Sequence, residues 1–136
     1  MKKLPSRRRC LVAVPLGLAF GVLCAWLASQ NDPTIFDLHS PMFWTIVWNR
    51  LLIGFFVALA GAYKYHPVFG FRFYPALRGI ILGALISLAL AFGALLTPSD
   101  QAVKYFWLTI LAGAIYGLII DLIATKVGGE GKNLLV

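Results

Sequence analysis

Hydrophobic positions run along this chain in four blocks of roughly twenty residues, and polar residues collect between them. About 20 helical residues, at ~1.5 Å rise each, cross ~30 Å of hydrocarbon, so each block has the length of a membrane span. The pattern predicts helices at about 10–28, 42–63, 76–96 and 101–126 within a single domain, 1–136, followed by a short flexible tail over 127–136. Ser40-Pro41 reads as a hydroxyl cap with proline at the first helical position, and Tyr74-Pro75 opens the third block. Thr97, with Asp100 three residues on, reads as a capping box for the fourth. Pro15, early in the first block, predicts a kink or a first turn.

A second periodicity lies inside the blocks, where small residues recur every four positions. Gly17, Gly21 and Ala25 line up in the first, and Gly54, Ala58 and Ala62 in the second. Gly79, Gly83, Ser87 and Ala91 follow in the third, then Thr109, Gly113, Gly117, Asp121 and Thr125 in the fourth. Residues four apart share a helix face, and small side chains there let backbones approach closely in lipid, where apolar attraction between helices is largely absent. The expected fold is therefore an all-α integral membrane protein, a four-helix transmembrane bundle with small-xxx-small packing faces. Those faces can meet within one bundle or between protomers; packing within one bundle is the plainer reading.

Composition removes the soluble alternatives. Hydrophobic residues make up 60% of the chain and charged ones 12%, with a mean hydropathy of +0.84. A soluble domain of this length needs more polar surface than that. The basic start before the first block also suits a secretory signal peptide, but Trp26 and Leu27 occupy positions where a cleavage site wants small residues. Leu23 likewise spoils a lipoprotein site at Cys24, so the first block is expected to stay as a helix.

Charge then orients the bundle. Lys2, Lys3, Arg7, Arg8, Arg9, Lys64, Arg72, Arg78, Lys126 and Lys132 fall on one side; the other carries Lys104 with Asp32, Asp37 and Asp100. The positive-inside rule puts both termini and the middle loop in the cytoplasm, and the loops at 29–41 and 97–103 outside. The chain resembles small prokaryotic membrane proteins in overall look, which implies the cell (inner) membrane as its location. The net charge of +7 then needs no nucleic-acid partner, being explained by anionic lipid headgroups at the cytoplasmic face. Phe69, Phe71, Arg72, Phe73 and Tyr74 could pass for a base-stacking platform but read better as an interfacial segment. Trp44, Trp48, Tyr105, Phe106 and Trp107 supply the belt at the opposite interface.

Two ionisable residues extend the small faces and are the leading site candidates. Arg50 lies one repeat before Gly54, about 12 Å inside the outer end of its span and beside Asn49; Asp121 lies one repeat after Gly117, about 7 Å inside the cytoplasmic end. A charge in hydrocarbon costs on the order of 3 kcal/mol, so each needs a partner or water. Arg78 is the partner expected for Asp121, either as a register-fixing ion pair or as part of a transport step. Arg50 has no acid at its depth, which leaves Asn49, Thr45, backbone carbonyls, a reach to Asp37 or Asp100, or an external anion. The first span, taken from residue 10, carries no charge.

The remaining chemistry is thin. Cys10 and Cys24 lie about 21 Å apart along one helix and cannot bridge; Cys10 could be acylated in a eukaryotic host, although an inert thiol is the plainer reading. His39 and His66 read as surface histidines, and no cluster suggests a metal or other cofactor. Without a nucleophile-base pair, paired carboxylates or a phosphate-cradling loop, enzymatic activity is not expected. Two expectations for function follow. One is a non-enzymatic accessory subunit or homo-oligomer built by close helix packing, alone or within a larger membrane complex. The other is a small oligomeric transporter or channel that passes anions, protons or small solutes by way of Arg50 and Asp121.

Overall fold

The computed structural model describes residues 5–66 and 68–130. Four helices follow one another in antiparallel order, α1 (Pro5–Ser29), α2 (Pro41–Ala60), α3 (Pro75–Leu95) and α4 (Ala102–Gly128), with one 3-10 turn at Pro33–Ile35 in the first connection. Each is long and apolar enough to cross a membrane, which makes this an all-α, multi-pass membrane protein by length and composition. Large apolar side chains such as Trp26, Phe55, Phe56, Leu85 and Leu111 stand exposed on the outside of the bundle, as a lipid-facing surface requires.

The closest pairs are α3 with α4 and α1 with α2, and glycine sets both distances. A Cβ built on Gly117 would lie 2.9 Å from the Gly83 Cα, and one on Gly17 would lie 2.7 Å from the Arg50 carbonyl oxygen. Real Cβ atoms do not come so near, so a larger residue at either position forces the helices apart. Gly54 packs against Ala13 and Gly17, and Gly79 and Gly113 lie against Gly117, Ser87 and Gly83. Two apolar layers fill what the glycines leave. Ala13, Ile53, Val57, Ala58, Ile120 and Ala124 form one, and Ala25, Phe43, Ile46 and Val47 the other, nearer the 29–41 loop.

Element boundaries differ from the hydropathy pattern in instructive places. Helix α1 starts at Pro5, so the basic residues Arg7, Arg8 and Arg9 are helical and Pro15 falls well inside the helix, where it removes one rung of the hydrogen-bond ladder. Helix α2 stops at Ala60 because Gly61 turns its N–H to the Leu59 carbonyl, a tightened turn that leaves 61–63 outside the helix. Val127 and Gly128, expected in the tail, complete α4, and 131–136 lie outside the described residues. The capping box at Thr97 and Asp100 does not form. The chain instead turns at Ser99, whose carbonyl accepts from the Ala102 N–H at 3.0 Å, and Gln101 takes the N-cap position without a side-chain bond. Ser40 does hold the N-cap of α2, but its hydroxyl makes no cap bond and Pro41 supplies the geometry.

The loops are ordered by local bonds. Asp32 accepts from the Thr34 N–H and hydroxyl at 3.0 and 2.6 Å, which holds its carboxyl below the usual carboxylate range. Between α2 and α3 the chain folds into a small hairpin with an antiparallel bridge between Tyr65 and Arg72. Gly70 has φ +66° there, a conformation L side chains seldom adopt. His66 is the hub of this hairpin rather than a free surface residue: its ring lies against Phe69, Phe71 and Phe73, and its Nδ1 accepts from the Val68 and Phe69 N–H groups.

Candidate functional site

Polar side chains inside the bundle gather in two clusters with no hydrogen bond between them. The first cluster sits where α1 begins and α4 ends. Asp121, fully buried, receives Arg78 in a two-pronged bond, Nε to Oδ2 and Nη2 to Oδ1, each 2.8 Å. The Thr125 hydroxyl donates to Oδ1 at 3.1 Å, and Arg9 Nη2 donates to the same oxygen. Parallel Arg–carboxylate bonds of this kind are about twice as strong as neutral ones, and they fix orientation as well.

Arg9 is 1% exposed, and the ends of two helices explain how a buried guanidinium is satisfied there. The tightened turn at Gly61 leaves the Val57 carbonyl free of the helix ladder, and Arg9 donates to it from Nε and Nη2, both at 3.2 Å. Its Nη1 donates to the Thr125 hydroxyl at 2.7 Å and to the Gly129 carbonyl, just past α4, at 3.3 Å. Arg78 Nη1 similarly reaches the Tyr63 carbonyl at 3.3 Å. Helix C-termini carry unpaired carbonyls and partial negative charge, so cations belong there. Glycine again makes the room: a Cβ on Gly61 would lie 2.6 Å from Arg9 Cζ, and one on Gly128 would lie 2.7 Å from Arg9 Cα. Segments from all four helices thus meet around a single carboxylate.

The second cluster surrounds Arg50, also 1% exposed. Its Nη1 donates to Asn49 Oδ1 at 2.9 Å and to Ser87 Oγ at 2.6 Å, and its Nη2 reaches Cys24 Sγ at 3.7 Å. The guanidinium carbon stands 5.3 Å from the centre of the Tyr116 ring, and Asn49 is held in turn by the Ile86 carbonyl at 3.0 Å. No carboxylate lies within 4 Å of it among the described residues, which include all five Asp and Glu side chains of the chain. Its Nε has no hydrogen-bond partner among the described residues. Beside it opens a cavity of about 380 Å³ walled by Cys24, Ala28, Met42, Thr45, Leu90 and Thr109, among others.

Ile53, three residues past Arg50 on α2, and Ile120, beside Asp121 on α4, are fully buried, and Asp121 does not line the Arg50 cavity. The structure therefore joins Asp121 to Arg78 and Arg50 to Asn49, and keeps the two pairs apart. Thr45, considered for Arg50, turns its hydroxyl to the Pro41 carbonyl at 2.8 Å. Asp37 is taken by the His39 N–H at 2.9 Å.

Three participants were not given these roles from sequence: Arg9, Ser87 and Tyr116, whose ring faces Arg50. Arg9, counted among the tail charges, belongs to the buried cluster, which corrects the picture of an uncharged first span. The signal was present, since Arg9 stands one four-residue repeat before Ala13, itself one before Gly17. Ser87, read as a packing residue, is also the only uncharged polar side chain of α3 and bonds Arg50. Compared with protein-family models, curated proteins and solved structures, the chain matches none.

Proposed function

We propose that this chain is a non-enzymatic integral membrane protein that acts as an accessory subunit or homo-oligomer, with both termini in the cytoplasm. The observation that carries this reading is the closure of Asp121. A carboxylate that moves protons or ions must alternate between partners, whereas this one is held by Arg9, Arg78 and Thr125 together. Asp121 and Arg50 share no hydrogen-bond partner, and Asp121 does not line the cavity beside Arg50, which argues against a conduit through the single bundle. The small-residue faces turn inward, α1 to α2 and α3 to α4. Association with a partner therefore rests on the broad apolar exterior, including Phe55, Phe56, Leu85 and Phe92, rather than on those faces.

Gentle solubilisation followed by native mass spectrometry tests the proposal, with ion and proton flux measured in proteoliposomes in parallel. The expected result is a homo-oligomer or a larger complex, and flux no greater than in protein-free vesicles. Flux above that level that is abolished by Asp121→Asn and by Arg50→Ala would overturn it.

A further inference from the structure

We propose that the cavity beside Arg50 binds the anionic group of a small amphiphile, a carboxylate or phosphate carrying an apolar chain. This goes beyond the accessory role and does not depend on it, since a bundle can hold such a ligand whether or not it assembles with a partner.

Charge in the bundle is unevenly paired. Arg9 and Arg78 share Asp121, and exposed Arg72 lies 3.9 Å from Glu130. Arg50 is as deeply buried as Arg9 but receives only neutral acceptors: an amide oxygen, a hydroxyl, a thiol and a ring face. A guanidinium stays charged at any physiological pH, so burial cannot be relieved by deprotonation. Buried charges are normally paired, and intramembrane ones mark ligand or ion sites.

The cavity supplies the missing space. About 380 Å³ lies within the size range of small-molecule sites, and Arg50 is one of its walls. Most other walls are apolar, namely Ala28, Met42, Ile46, Leu90, Ala94 and their neighbours, with Thr45, Thr109 and Cys24 as polar points. A free inorganic anion would satisfy Arg50 but leave those walls unfilled, whereas an acid with an apolar chain matches both.

Two further cavities adjoin it. A neighbouring cavity of about 430 Å³, bounded by Asn31, Asp32, Thr97 and Ser99 at the loop end, shares the walls Ala28, Met42 and Ala94. Another of about 440 Å³, between Trp44, Trp48 and Leu52 on the outer face, shares Thr45, Ala89 and Leu90.

Cys24 reports on the site, because it lines the cavity and accepts from Arg50. The full chain carrying Cys10→Ala, in phosphatidylcholine nanodiscs, is treated with a small thiol reagent, and the modification rate of Cys24 is followed by mass spectrometry. Octanoate is expected to slow the reaction about tenfold once it stands roughly ninefold above its dissociation constant. Octanol, acetate and inorganic phosphate should leave the rate within about twofold of its starting value.

Nanodiscs containing phosphatidic acid identify the source. Protection by that lipid without octanoate assigns the group to bilayer lipid, and protection by octanoate alone assigns it to a solute; either supports the site. Arg50→Gln should abolish protection and Arg50→Lys should retain part of it. Failure of Arg50→Gln to fold would leave the comparison of octanoate with octanol decisive in the otherwise unaltered chain. Equal protection by octanol, or none by either acid, would overturn the proposal. A homo-oligomer without protection leaves the accessory reading standing and removes this one alone.

Discussion

Asp121 is asked to neutralise two cations at once, and that asymmetry decides how its neighbours respond to substitution. Removing one member of a buried ion pair costs about 3–5 kcal/mol, because the other is left charged and unpaired. Asp121→Asn strands both Arg9 and Arg78 and should sit at the upper end of that range. Arg9→Gln leaves the two-pronged Arg78 bond intact and should cost less, about 1.5–3 kcal/mol, as for hydrogen bonds to a charged group. Equilibrium unfolding in mixed micelles measures both, and an Arg9→Gln loss equal to or greater than that of Asp121→Asn would contradict the assignment of roles. At this scale the sequence revealed Arg50 and Asp121 through their position on small-residue stripes and through the cost of charge in lipid. It concealed Arg9 because hydropathy begins a helix where apolar residues begin. Carbonyls freed at two helix ends and space left by Gly61 and Gly128 are what allow a charge one turn further out to be buried.

For the helices, the glycines separate into two kinds, those on the four-residue stripe and those off it. Gly83 faces Gly113 and Gly117 across the α3–α4 contact, while Gly93, on the same helix, has nothing within 4 Å of where a Cβ would stand. Overpacking a tight contact typically costs about 1–3 kcal/mol, so Gly83→Ala should destabilise by that amount. Gly93→Ala should be neutral or stabilise by up to about 1 kcal/mol, since alanine restricts the unfolded chain and favours helix. The same unfolding assay checks the pair, and equal effects would show that close approach is not what Gly83 provides. The four-residue repeat was legible because it reports a face directly. Which face met which was not, since pairing depends on the register that loops and buried charges impose. The missing capping box at Thr97 and Asp100 has the same origin: the loop turns at Ser99, and that turn rather than the local motif sets where α4 starts.

For the molecule as a whole, the number of spans followed from hydropathy alone, while orientation rests on where lysine and arginine fall. With Arg9 and Arg78 buried, the basic side is still marked by Arg7, Arg8, Lys64, Arg72 and Lys126, so the proposed direction stands on exposed and half-buried charges. Single cysteines in a Cys10→Ala, Cys24→Ala background test it. Asn31→Cys should react with a membrane-impermeant reagent in intact cells, and Val68→Cys only after permeabilisation; the reverse pattern would invert the topology. Arg9 also ties the first helix to the last, over 112 residues of chain. During synthesis Arg9 and Arg78 enter before their carboxylate exists, so the first three helices wait with two uncompensated cations until α4 arrives. The ion pairing of the bundle is thereby completed only by its last helix, and a chain interrupted before Asp121 lacks the one carboxylate that neutralises both Arg9 and Arg78.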